Sequence, residues 1–266
     1  MNILVCVKQV PDTTEIRIDP VTNTLIRAGV PSIVNPFDAY ALEIAARIKD
    51  TTPGTKITLL SMGPPQAAAA LKECLAVGGD QAYLVSDRAF GGADTLATSY
   101  TLKCAIDKLQ ETDGPFDLIF CGKQAIDGDT AQVGPEIAEH MDCPQITYGV
   151  EARVEGDQVL VKRETGEGYE ILAAAMPCVI TVTKPSFNPR FPTIKSKMAA
   201  SRAVIPTLTV EDLTVDRTRI GLKGSPTKVK KSFTPPRKQG GVTIAEESCE
   251  ASAKKLFELL GSANVI

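Results

Sequence analysis

Histidine, the residue most used for acid–base catalysis and metal binding at neutral pH, is nearly absent from this chain. His140 is the single histidine, so Ser-His or Cys-His catalysis and histidine-based zinc sites have at most one imidazole to draw on. Its helical setting marks it as a surface helix residue. The seven cysteines (Cys6, Cys74, Cys104, Cys121, Cys143, Cys178 and Cys249) lie far apart and never form a CxxC pair. An odd, dispersed set reads as reduced, mostly buried small hydrophobes in a cytoplasmic protein, with no disulfide framework and no metal site. Side chains are therefore not expected to perform catalysis. Any such chemistry falls to a bound cofactor.

One segment does carry the chemistry of anion binding. Residues 121–134 read Cys-Gly-Lys-Gln-Ala-Ile-Asp-Gly-Asp-Thr-Ala-Gln-Val-Gly, which is neither GxGxxG nor the phosphate loop GxxxxGK[ST]. Gly122, Gly128 and Gly134 would let the backbone approach a ligand, and Thr130 and Gln132 offer donors. A helix starting near Thr130 would aim successive N–H groups, and the positive end of its dipole, at a phosphate. Asp127 and Asp129 oppose that use unless one caps the helix and the other faces ribose or solvent. On loop chemistry alone, an ordinary strand-to-helix turn accounts for the segment equally well.

The elements that must position this loop alternate along the chain. Ile3–Val7 is a continuous apolar run of the kind buried on both faces of a parallel sheet. Asn35 is a candidate cap for a helix with Pro36 at its first position and Ala41, Ile44, Ala45 and Ile48 at helical spacing. Strands are expected at 57–62, 82–85 and 116–121, each followed by a helix, the last from about Thr130 to His140. Four βα units in series imply right-handed crossovers and a doubly wound, mostly parallel α/β sheet. After Cys143, runs at 147–154 and 158–163 flank Glu155-Gly156-Asp157 as a hairpin, and 169–172 and 179–183 add strands, predicting antiparallel strands at the sheet edge. From Pro185 to Gly240 both periods fade, with 12 Lys/Arg against 3 acids and seven prolines. Such a stretch is a tail or an arm that wraps another chain. Ile205, Leu208, Val210, Leu213 and Val215 give it apolar teeth and favour the arm. A last helix, 245–260, has a packed face at Ala251, Leu256 and Leu259. The expected domains are thus a nucleotide-binding α/β domain over 1–184, and a recognition loop with an extended C-terminal arm over 185–266.

The segments 5–12, 34–38, 61–64 and 122–134, taken in order, resemble the β (small) subunit of electron transfer flavoproteins, and the resemblance runs through Asn188-Pro189-Arg190-Phe191 into the arm. The family implies a heterodimer with an α subunit that carries one FAD. The loop variant Asp127-Gly128-Asp129-Thr130-Ala131-Gln132-Val133-Gly134-Pro135 looks like the electron-bifurcating and Fix-type branch. There the pocket that holds AMP in housekeeping members holds a second FAD, which accepts hydride from NADH. Carried over by this resemblance, the cofactor-binding residues are Cys6, Asn35, Asp38, Met62, Gly122, Lys123, Gln124, Ala125, Ile126, Asp127, Gly128, Asp129, Thr130, Ala131, Gln132 and Val133, with Thr95 as a further candidate. The flavin ring is expected near Lys8, Gln9 and Met62. Residues 187–198 match the family's recognition loop, with Ile194 as an apolar anchor and Arg190, Lys195, Lys197 and Met198 around it.

The function this implies is the β subunit of an electron-bifurcating electron transfer flavoprotein. It would serve an acyl-CoA-dehydrogenase-like flavoenzyme on one side and ferredoxin or flavodoxin on the other. The alternatives are a non-bifurcating carrier with structural AMP, and a stand-alone adenine-nucleotide hydrolase or ligase. The chain of 266 residues has a net charge of -3, which gives no reason to expect nucleic acid as a partner. No apolar run approaches the roughly 18 residues of a membrane helix, and with a strand-like run directly after Met1 no signal peptide is expected.

Overall fold

A computed structural model of the chain describes residues 1–12, 31–230 and 240–266. They fall into two units, residues 1–12 with 31–230, and residues 240–266. In the first unit the opening apolar run forms β1 (Asn2–Cys6), and a small antiparallel pair joins β2 (Gln9–Pro11) to β3 (Ser32–Val34). Then follow α1 (Pro36–Thr51), β4 (Lys56–Met62), α2 (Ala68–Leu75), β5 (Gln81–Val85), α3 (Thr95–Asp113), β6 (Leu118–Gly122) and α4 (Val133–His140). The hairpin is β7 (Gln145–Glu155) and β8 (Gln158–Thr165), turning at Gly156 with φ 63°. After it come β9 (Gly168–Ala175), β10 (Cys178–Val182), α5 (Ile194–Arg202) and β11 (Thr207–Leu208).

Nine strands make one sheet in the order β11-β5-β4-β1-β6-β10-β7-β8-β9. Pairing is parallel from β11 through β7 and antiparallel from β7 to β9. The sheet is covered on both faces, which is why its inner strands are continuously apolar. Ile3 and Val5 of β1 pack with Leu42 and Ile44 of α1 and Leu71 of α2, while Leu4 packs with Leu102 and Ile106 of α3 and Ile137 of α4. The fold is the doubly wound α/β class with antiparallel strands at one edge. Among the described residues no helix is long and apolar enough to cross a membrane.

Three elements differ from expectation. The helix expected from Thr130 begins at Val133, because left-handed backbone at Asp129 (φ 52°) and Ala131 (φ 53°) keeps the preceding residues out of it. β10 lies between β6 and β7 and pairs parallel with both, so only β8 and β9 form the antiparallel edge.

The third difference concerns the stretch after Pro185. A capping box between Thr193 and Ser196 starts α5, which packs on α2. β11 extends the sheet beside β5. Val210, Leu213 and Ile220 are buried in the core under α3 and α4. The compact unit therefore continues past residue 184 to Lys230. Those apolar teeth close on this chain's own body, and the spacing of the receiving groove, rather than a period of the segment itself, sets theirs. In the second unit the terminal helix is α6 (Cys249–Ser262), and the face expected to be packed holds no buried residue. Leu256, Phe257 and Leu259 are all exposed.

Candidate functional site

A cavity of about 770 Å³ opens beyond the carboxyl ends of β1, β4 and β6. β4 lies on one side of β1 and β6 on the other, so the cavity sits at the topological switch point where open α/β sheets collect ligands. Cys6, Lys8 and Met62 line it from the strand ends, Thr95 from the start of α3, and residues 122–125, 128 and 130–134 from the loop leading into α4.

A buried pair at the start of α1 builds this loop. Asn35 and Asp38 are almost wholly enclosed. Asp38 accepts hydrogen bonds from the Lys8 backbone N–H (2.7 Å), the Gly122 backbone N–H (3.1 Å) and the Asn35 amide (2.9 Å). Asn35 also donates to the Gln124 carbonyl at 2.8 Å and accepts from the Ile126 N–H at 3.2 Å. Asn35 occupies the first-turn flanking position of α1 but makes no side-chain cap. Its amide is spent tying α1 to the loop instead. Burial pushes the Asp38 carboxyl up to about 7, against the opposing pull of its three donors and of Lys8. Gly122 has a packing reason as well. A Cβ there would collide with the Asp38 carboxylate and the Phe37 backbone.

Of the two aspartates that oppose an anion here, one is neutralised by a cation and the other is tied to a neutral amide. Asp127 is paired with Lys8 Nζ at 2.6 Å, and Asp129 accepts from the Gln124 side chain at 2.7 Å. Neither caps α4. Nor does the Gln132 side chain, which stands at the cap position without a capping bond. Among the described residues, no backbone N–H from Thr130 to Gly134 meets an acceptor, and all five residues line the cavity. The left-handed turns at Asp129 and Ala131 cost about 1–3 kcal/mol each. They shape these successive N–H groups into a concavity of the kind that holds anions, at the positive end of α4. Gly128, expected to admit a ligand, has no neighbour within 4 Å of where a Cβ would stand. Gly134 instead packs against Thr181.

The other helix start at the cavity is already occupied. Asp94 caps α3 by accepting from the Ala97 N–H at 3.1 Å. Burial, which alone would raise the Asp94 carboxyl, is outweighed by bonds from Ala97 and Thr227 that hold it below the usual range. Thr95 donates to Glu136 Oε1 at 3.1 Å and lies 3.4 Å from Gln132 Oε1, so it braces α4 against α3.

Of the expected cofactor residues, Ile126, Asp127 and Asp129 do not line the cavity. Gln9, expected near the ring, donates to the Gln66 carbonyl and lies outside it. Phe90, Asp94, Glu136, Pro226 and Thr227 line it without having been anticipated. Asp94 had a legible signal, a capping aspartate ahead of an apolar-periodic run. Pro226 and Thr227 had none, because only the tertiary fold brings them back. His140 is half-buried against Tyr100, with ring centroids 6.0 Å apart, and is not among the cavity residues. Burial and the nearby Arg219 push its pKa down.

The recognition segment is anchored rather than loose. Arg190 bonds the buried carboxylate of Glu43 through both its backbone N–H (3.0 Å) and Nε (2.8 Å), and it reaches Asp50 at 2.7 Å. Arg47 stacks on Phe187 at 3.6 Å. Beyond that clamp Phe191, Ile194 and Met198 are exposed, at 91%, 82% and 52%, with Lys195 and Lys197 exposed beside them.

Fold and cavity together define a doubly wound α/β protein that offers unpaired backbone donors at its switch point. The family model described as electron transfer flavoprotein domain matches residues 22–213. The electron transfer flavoprotein subunit beta of Megasphaera elsdenii is 54% identical over the whole of both chains. The caffeyl-CoA reductase-Etf complex subunit CarD of Acetobacterium woodii is 47% identical, again over the whole of both chains. Protein FixA of Azotobacter vinelandii is 46% identical over 97% of this chain and 92% of its own. The chain belongs to the electron transfer flavoprotein family, as a β-type subunit on the branch of FixA and CarD, and its work is electron transfer.

Proposed function

We propose that the chain is the β subunit of an electron-bifurcating electron transfer flavoprotein. In this role it holds FAD in the switch-point cavity, receives electrons there from NADH, and divides them between the FAD of an α subunit and a low-potential acceptor such as ferredoxin or flavodoxin. The observation that carries this reading is the row of five unpaired backbone N–H groups, Thr130 to Gly134, at the uncapped start of α4. Successive free donors at a helix start suit an anionic partner, and a pyrophosphate engages more of them than one phosphate does. The cavity's volume of about 770 Å³ lies in the upper part of the roughly 300–1,000 Å³ range of ligand pockets, which suits a dinucleotide.

When bound, FAD supplies a ring that accepts hydride and passes electrons singly. This chain's residues do the rest. Thr130 to Gly134 hold the phosphates, Asn35 and Asp38 keep the loop in place, and Lys8 offsets Asp127. Cys6, Leu60 and Met62 give the cavity an apolar side that excludes water. A partner of the kind the CarD relative is named with, a caffeyl-CoA reductase, would dock at α5, with Ile194, Met198 and Phe191 as apolar contacts and Lys195 and Lys197 steering the encounter. Arg190 serves there by fixing the segment to α1.

Cofactor stoichiometry in the purified two-subunit complex tests the proposal. Two FAD per heterodimer, one of them reduced directly by NADH, are expected. One FAD together with one AMP, and no reaction with NADH in fully reconstituted complex, would overturn bifurcation in favour of a plain carrier.

A further inference from the structure

The cavity has a wall that comes from far along the chain. Segment 209–227 runs over the loop between β5 and α3 and is stitched to it at intervals. Asp87 accepts from the Val210 N–H at 3.2 Å, and the Leu222 N–H donates to the Gly91 carbonyl at 3.1 Å. Gly221, at φ 56°, passes so close to Ala89 that a side chain would collide with its carbonyl. The last stitch lies at the cavity itself. Asp94 accepts from the Thr227 N–H at 3.0 Å and from the Thr227 hydroxyl at 2.8 Å, and the Asp94 N–H donates to the Ser225 hydroxyl at 2.8 Å. Pro226 and Thr227 line the cavity together with Asp94 and Thr95.

How firmly this wall is held changes along it. Val210, Leu213 and Ile220 are buried, so the first part of the segment moves only with the core. Pro226 and Thr227 are exposed, as are the residues that follow to Lys230. Ser225 is buried and fixed by its bonds to the Asp94 N–H and the Gly221 carbonyl, whereas Thr227 is held by hydrogen bonds to one carboxylate rather than by apolar burial, and segments of that kind open locally at low cost. A ligand touching the closed wall favours closure, and closure in turn slows the ligand's departure.

We infer that Asp94 is a positioning residue for the nucleotide: by pinning Thr227 it closes residues 226–227 over the cavity and sets how fast a bound nucleotide leaves. This rests on the nucleotide reading of the cavity, but not on whether the occupant is FAD or AMP. The two oxygens of Asp94 have separate duties, one capping α3 and the other holding Thr227. Asp94→Asn therefore keeps a competent cap while turning an amide N–H₂ toward the Thr227 donors. Thr227→Val removes only the hydroxyl bond.

The test uses the two-subunit complex with labelled AMP loaded into the β-subunit cavity and chased with excess unlabelled AMP. Release roughly tenfold faster in Asp94→Asn and severalfold faster in Thr227→Val is expected, in line with the loss of one or two hydrogen bonds. In the unaltered complex AMP should slow exchange of the Thr227 amide, a response that a purely structural role would not give. Unchanged release in Thr227→Val and in an Asp94→Asn variant whose Ala97 amide stays protected would overturn the inference, as would exchange of the Thr227 amide indifferent to AMP. Failure of AMP to bind at all would overturn the nucleotide reading itself, whereas AMP binding with no reaction toward NADH leaves the inference standing and removes only bifurcation.

Discussion

Asp38 makes the nucleotide loop possible and is itself under tension. Three donors converge on its carboxylate while burial resists its charge, and the outcome is a carboxyl raised to about 7. In the unfolded chain it titrates in the usual carboxylate range. Between that range and about 7 the folded chain holds the extra proton, so stability is greatest at the acid end and falls as pH rises, by up to about 1.4 kcal/mol per pH unit. Above about 7 this contribution is lost and the curve levels. Urea unfolding across that window should show the decline, and Asp38→Asn should flatten it. Gly122→Ala acts on the same contact from the other side. Its Cβ strikes Asp38 and Phe37, so a destabilisation of about 1–3 kcal/mol and weakened nucleotide binding are expected, read by thermal unfolding and by titration with AMP.

At the scale of elements, the helices that start at the cavity divide the work. α3 spends its N-terminus on Asp94 and α1 carries Asp38 in its first turn, whereas α4 leaves its donors free. A bulky apolar residue at Thr130 or Gln132, such as Thr130→Leu, should therefore release the cavity's nucleotide while sparing the FAD of the α subunit, as counted by chromatography of released cofactor. α5 is an element of the opposite sort, firmly seated behind and apolar in front. Ile194→Ala should cost roughly 1–3 kcal/mol of binding to the dehydrogenase partner and leave cofactor content unaltered. A partner affinity indifferent to Ile194 would remove α5 from the docking surface.

For the molecule as a whole, the long basic, proline-rich stretch divides into two behaviours. Up to Lys230 it belongs to the compact α/β unit, and Leu213 is buried there. Leu213→Ala should destabilise the isolated chain by about 2–5 kcal/mol, which an arm ordered only by a partner would not do. α6 has no buried residue. Replacing Leu256, Phe257 and Leu259 together with serine should leave unfolding of the isolated chain unchanged and weaken its assembly with the α subunit, measured by equilibrium binding of the two subunits.

Sequence alone determined the βα alternation, because apolar runs and helical spacing are local and the sheet's two covered faces impose them directly. It also determined the family, whose motifs lie in order along the chain, and marked the loop from Gly122 to Gly134 as a candidate for anion binding, since glycine spacing and a following helix are local signals. The roles inside that loop were decided only by tertiary structure. Asp127 is ion-paired with Lys8, Asp129 is held by the Gln124 amide, and Asn35 is a tie rather than a cap. The left-handed positions fall on Asp129 and Ala131 instead of on glycines. Pro226 and Thr227 reach the cavity from more than 90 residues beyond the loop, and Asp94 meets Thr227 across a separation of 133 positions. Contacts of that range leave no period in the sequence, because their spacing is set by the surface that receives them and not by the geometry of the segment that makes them.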